Sequence, residues 1–120
     1  MTFSQYPINT HESYHAHVYF LQDTLDTALK LLDKIKDKFP YDVSDVYKKC
    51  IGPHPKWNYQ VTFTKNDFED FIPWLDNNRE GLTVFIHGIS DDFLKDHTDG
   101  ASWLGEEEKL NIDIFKGKKD

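Results

Sequence analysis

The residues with the greatest chemical reach in this chain are its histidines, His11, His15, His17, His54, His87 and His97. A neutral imidazole is a common ligand for iron, zinc and copper, and it titrates near neutrality, so histidines that converge can hold a metal or move protons. His15 and His17 form an H-x-H pair, and alternate residues of an extended segment share a face. One such pair is a weak signal, because a single histidine is more often a polar, half-buried residue than a ligand. Convergence from separate segments is the stronger criterion, and it depends on the elements that carry them.

Tyr14 to Phe20 alternates, with Ala16, Val18 and Phe20 on one side and His15, His17 and Tyr19 on the other, which predicts a first strand. Thr24 is placed to cap a helix from Leu25 to Lys38, whose Leu25, Ala28, Leu29, Leu32 and Ile35 form an apolar stripe ended by Pro40. Val46 to Ile51 reads as a short edge strand carrying Lys48 and Lys49. The prolines of Gly52-Pro53-His54-Pro55 cannot continue a ladder, so His54 sits in a rigid loop. Trp57 to Phe63 alternates again, with Tyr59, Val61 and Phe63 inward and Asn58, Gln60 and Thr62 on the other face.

Thr64 with Asp67 starts a second helix that turns Phe68, Phe71, Ile72 and Leu75 to the core before Asn77-Asn78, with Pro73 a kink or an early stop. Leu82 to His87 is the fourth strand, with Leu82, Val84 and Ile86 inward and Thr83, Phe85 and His87 opposite. Ser90 is expected to cap a helical turn through Asp96, and Leu110 to Phe115 to be a fifth strand or a docking tail. The order β-α-β-β-α-β predicts an α+β, ferredoxin-like sandwich over residues 1–120, with a four-stranded antiparallel sheet, helices on one face and a C-terminal tail. Strands one and three are then central, strand four lies beside strand one, and His17 and His87 become neighbours on the open face. His54 enters from the loop before strand three, and His97 can fold back over the same face.

Composition narrows the function classes. A net charge of −7 over 120 residues argues against a phosphate-binding surface, so nucleic acid is not an expected partner. Cys50 is the single cysteine, which rules out an internal disulfide and fits a reducing compartment, the cytoplasm by default. No segment approaches the roughly 18 apolar residues of a membrane span, and Met1 to Asn9 lacks the features of a secretory leader, so no membrane association or processing is expected. Trp57, Trp74 and Trp103 read as core or interface aromatics, Arg79 as a helix-end charge or a partner for a substrate carboxylate, and Glu106 to Glu108 as solvated surface. Cys50 reads as a structural thiol in a strand. An open face carrying Tyr19 and Phe85 must meet tail, substrate or a second copy, and a homodimer is expected.

Tyr14-His15-Ala16-His17-Val18-Tyr19-Phe20, Gly52-Pro53-His54-Pro55, Gly81-Leu82-Thr83-Val84-Phe85-Ile86-His87 and Asp96-His97-Thr98-Asp99 through Trp103-Leu104-Gly105 together resemble, in order and spacing, the DOPA 4,5-dioxygenase family. The resemblance implies a ferredoxin-like fold, often dimeric, and a dioxygenase that opens the ring of a catechol such as L-DOPA in extradiol fashion with O2 and non-haem Fe(II). It implies His17, His54 and His87 as metal ligands and His15 or His97 as the proton-transferring or supporting group. No Asp or Glu falls on the open-face positions of strands one, three or four. The site is therefore all-histidine, which would also accept Zn or Ni, or is completed by a loop carboxylate such as Asp99 or Glu12. Two other classes fit the same residues: a cofactor-free ferredoxin-like monooxygenase with an aromatic pocket, and a non-catalytic metal or small-ligand binding module.

Overall fold

The strand that carries the H-x-H pair lies at the centre of a five-stranded antiparallel sheet, in the order β2-β3-β1-β4-β5. The computed structural model describes residues 6–98 and 100–116. Its strands are β1 (Ser13–Phe20), β2 (Asp42–Val43), β3 (Trp57–Thr64), β4 (Val84–Gly88) and β5 (Ala101–Leu104). Two full helices, α1 (Leu25–Lys38) and α2 (Phe68–Asn78), make the crossovers, and two single-turn helices, α3 (Phe93–Asp96) and α4 (Asp113–Lys116), lie beyond β4. This is the ferredoxin-like α+β arrangement expected from the element order, with one strand more than the four predicted.

Strand alternation divides the molecule into two unequal cores. Ala16, Val18 and Phe20 of β1, Tyr59, Val61 and Phe63 of β3, and Val84 and Ile86 of β4 meet Ala28, Leu31, Leu32 and Ile35 of α1 and Phe68, Phe71, Ile72 and Leu75 of α2. Both long helices thus cover one face, where burial of their apolar stripes supplies most of the folding drive. The opposite face holds a smaller cluster of Tyr19, Phe85 and Trp103, with Ala101 and Leu110 packed on it. That face is not bare. Asn111 donates its backbone N–H to Pro53 at 2.8 Å, and Leu110 packs on the cluster, so part of the tail lies over this face.

Several elements depart from the sequence reading. The edge strand is Asp42–Val43, whereas Val46 to Ile51 contributes one bridge, Tyr47 to Asn58. The ladder breaks at Ser44, whose hydroxyl accepts the Gln60 backbone N–H at 2.9 Å, and the chain bows away. Cys50 is consequently exposed and outside any strand. The fifth strand is Ala101–Leu104, paired to β4, and not Leu110 to Phe115, whose described part includes the turn of α4. Asp92, not Ser90, caps α3 by accepting the Lys95 N–H at 3.0 Å. The Thr24 hydroxyl accepts the Leu21 N–H at 3.0 Å, closing a 3-10 turn ahead of α1 without capping that helix. Pro73 sits within α2 and does not end it. Among the described residues no helix is long and apolar enough to cross a membrane.

Candidate metal centre

The sheet register assembles the site. His15 lies directly opposite His87 across the β1–β4 ladder, and His17 opposite Phe85. One face of β1 and β4 therefore presents three imidazoles, each offering a nitrogen within 4.8 Å of the others. His17 and His87 are 4% and 5% exposed, and their Nε2 atoms are 3.3 Å apart. Two nitrogens each about 2.1 Å from one ion would be separated by roughly 3.0–3.4 Å for angles between a right angle and tetrahedral. The observed spacing fits a shared ion.

Neighbouring groups set which nitrogen of each ring is bare. His87 Nδ1 lies 2.9 Å from the Gly88 carbonyl and His97 Nδ1 lies 2.7 Å from the Phe93 carbonyl. A carbonyl oxygen only accepts, so both rings carry hydrogen on Nδ1 and leave Nε2 as a lone pair. His17 Nδ1 is 3.2 Å from Asn58 Oδ1, and the same assignment there leaves the two Nε2 lone pairs of His17 and His87 facing each other. Such an arrangement is repulsive without a cation between them. Asn58 is itself buried, and its Nδ2 has no partner among the described residues.

Electrostatics favour the ligating form. Burial holds the His87 pKa down at about 3 and the His54 pKa at about 4, with the neighbouring imidazoles adding to the effect. Burial, and then the proximity of His54 and His87, lowers His17 well below its ordinary value. His15 and His97 are lowered too, again chiefly by burial. All five rings are thus neutral near pH 7, as a metal site requires.

The remaining expected residues surround this trio. The positive φ of Gly52, +59°, turns the loop that brings His54 in, and its ring lies over His17 with centroids 4.2 Å apart. His54 is not one of the three rings that converge within 4.8 Å; its Nδ1 is instead 2.8 Å from the Tyr19 hydroxyl. His97 does fold back over the face, with its ring centroid 4.5 Å from that of His87. His11 lies outside the trio, its ring filling the space above Gly88. Glu12 points to solvent and pairs with Lys65 at 3.0 Å, and Asp99 lies outside the described residues. No carboxylate among the described residues joins the trio.

The five histidines line an open cavity of about 400 Å³, bordered also by Pro53, Gln60, Ile89, Phe93, Asp96 and Ile114. Such a space takes a single-ring organic molecule, with apolar walls for the ring and imidazoles for its polar atoms. Three residues that support the site were not among the expected site residues: Tyr19, Asn58 and Asp96. Asp96 is buried and accepts from the Ser90 hydroxyl at 2.6 Å and the Ser90 N–H at 3.0 Å, which ties α3 to the end of β4. Strand parity had placed Tyr19 and Asn58 on the histidine face. Arg79 and Trp103 lie elsewhere: Arg79 donates to Asp76 at 2.8 Å, and Trp103 packs on Phe85.

Comparison with known proteins gives the family and supports the fold. A model of the "Dopa 4,5-dioxygenase family" matches residues 14–114. An uncharacterized 21.2 kDa protein of Botryotinia fuckeliana is 32% identical over 89% of this chain and 65% of its own length. The DOPA 4,5-dioxygenase of Amanita muscaria is 25% identical over 91% of the chain and 52% of its own. The chain therefore spans between about half and two thirds of these curated relatives. A crystal structure of a "putative dioxygenase" from Nostoc punctiforme superposes with a TM-score of 0.86 at 37% identity, covering 89% of this chain and 93% of that one. With the matched region containing both histidine strands, the loop of His54 and the turn of His97, the chain belongs to the Dopa 4,5-dioxygenase family.

Proposed function

We propose that this protein is a metal-dependent extradiol dioxygenase that opens the ring of a catechol, with His15, His17 and His87 holding ferrous iron. The observation that carries the reading is the convergence of those three neutral rings on the floor of a cavity sized for one aromatic ring. Family membership supplies the reaction class, and the Amanita muscaria relative bears the name of a DOPA dioxygenase. When bound, ferrous iron supplies the Lewis acidity and one-electron chemistry that allow dioxygen to react with a catechol ring.

The chain's own groups do the rest. His15, His17 and His87 would hold the ion with three protein ligands, fewer than a closed four-ligand structural site uses. Ile89, Phe93 and Ile114 border the cavity and place the ring by apolar contact, excluding water from its edge. His54 and His97 stand on the walls as neutral imidazoles that orient the diol oxygens. Asn58 and the Gly88 carbonyl fix the His17 and His87 rings, so the ligating nitrogens are held before anything binds.

Anaerobic loading with ferrous iron, followed by catechol or L-DOPA and then air, tests this. A yellow ring-opened product that requires both iron and His17, and is lost in His17→Ala, is the expected result. Tight metal binding with no turnover of several catechols would replace this reading with that of a binding module.

A further inference from the structure

Tyr19 belongs to the aromatic cluster with Phe85 and Trp103 and contacts His54 from behind the histidine cavity. Its ring packs against Phe85 and Trp103, and its hydroxyl lies 2.8 Å from His54 Nδ1. Tyr19 is buried, and a phenol keeps its proton at neutral pH. A buried phenol must give that proton to an acceptor or forfeit a hydrogen bond. His54 Nδ1 is the acceptor the fold supplies, and it accepts only if it is bare. Neutral His54 then carries its hydrogen on Nε2.

That polarity is opposite to the polarity of His87 and His97, whose Nδ1 atoms face carbonyl oxygens and whose Nε2 atoms are bare. The cavity thus contains two kinds of imidazole: rings that offer lone pairs, and one that offers an N–H. The bare nitrogen of His54 is already committed to Tyr19, so the nitrogen left for the cavity is a donor and not a ligand.

We infer that Tyr19 is a positioning residue that fixes His54 as a neutral hydrogen-bond donor through Nε2–H, serving an oxygen of the bound ligand rather than the metal. The acceptor class is an oxygen that carries or develops negative charge, such as a catechol or enolate oxygen. A preformed neutral donor stabilises such charge without having to reorganise. The role assigned to His54 rests on the ring-opening reading; its tautomer does not.

Proton–nitrogen correlation spectra of metal-free protein with labelled imidazoles read the tautomer directly. The expected result is an unprotonated Nδ1 and a protonated Nε2 for His54, shifting toward a mixture in Tyr19→Phe, which keeps the packed ring and deletes only the hydroxyl. A protonated Nδ1 in the unmodified protein, or no change in Tyr19→Phe, overturns the inference. Cobalt(II) titration then separates donor from ligand: His54→Leu loses less than about tenfold in affinity, below the loss expected for a ligand. A larger loss makes His54 a ligand and overturns the inference while leaving ring opening intact. In the iron-loaded protein, His54→Leu lowers kcat by about 100-fold with little change in KM, and His54→Gln, which restores a donor, recovers part of it. An unchanged kcat in His54→Leu overturns the donor role. Absence of ring opening in the unmodified protein overturns the function, and with it that role, while the tautomer is still decided by the spectra.

Discussion

His15 and His87 face each other directly across the β1–β4 ladder, with His17 two residues further along the same face of β1. The side chains of directly opposed residues are a few ångströms apart in any antiparallel pair, so register alone brings two imidazoles together. The third follows from the period of two. A slip of one residue in β4 would turn His87 into the apolar core and Ile86 out to the site, so the histidine cluster and the core select the same register.

Removal of one ligand should separate metal retention from stability. His87 projects away from the helix-covered core, and His87→Ala is expected to lower metal affinity by more than about 100-fold, since even supporting partners are worth about 10–100-fold. Metal titration monitored together with circular dichroism checks this; a lost fold would count against the placement of His87.

Asn58 offers a subtler test. It holds His17 Nδ1 at 3.2 Å while its own Nδ2 is buried without a partner among the described residues. Asn58→Ala should cost about 10–100-fold in metal affinity by freeing the His17 ring. Metal-free stability should change little, because a lost hydrogen bond is offset by removal of an unsatisfied buried amide. Affinity and thermal midpoint measured on one preparation decide it.

The depressed histidines fix the sign of the acid response. His17, His54 and His87 have lower pKa values folded than unfolded, so between those values the unfolded chain binds more protons. The stability they support is complete above about pH 6.5 and falls as the pH drops toward about 4 and then about 3. Denaturant midpoints of metal-free protein between neutral and acid pH should decline over that window, and a bound metal should oppose the decline near its upper end by competing for the same nitrogens.

Core substitutions should behave in the opposite manner. Phe71 is fully buried among Phe39, Tyr41, Phe63 and Trp74, and Phe71→Ala is expected to cost about 3–5 kcal/mol. Phe93, 64% exposed at the cavity rim, should leave stability within about 0.5 kcal/mol when changed to Ala while raising KM for an aromatic diol. Chemical denaturation and steady-state kinetics of the two variants would show whether folding and ligand contacts reside on separate faces.

The central architecture was legible because it rests on periodicity. β1, β3 and β4 alternate over enough residues to fix which face each histidine takes, and the stripe of α1 gave its bounds. The edges were not, because their causes are local hydrogen bonds. Ser44 interrupts the ladder with its hydroxyl, and Val46 to Ile51 pairs through the single bridge of Tyr47 to Asn58. Ala101–Leu104 is too short for periodicity to reveal, and it pairs only because the α3 turn returns the chain to β4. Parity could place His15, His17 and His87 together, but not the depth to which a loop ring enters. His54 approaches the trio and then gives Nδ1 to Tyr19, a contact between residues 35 apart in sequence.

Isotopically labelled dioxygen tests the central claim most directly. The iron-loaded protein should consume one dioxygen per catechol and deliver both labelled atoms to a ring-opened product, as judged by mass spectrometry, with neither consumption nor product after His17→Ala. A single labelled atom in an intact ring, formed without iron, would contradict the account and place the reaction with metal-free oxygenation in the same cavity.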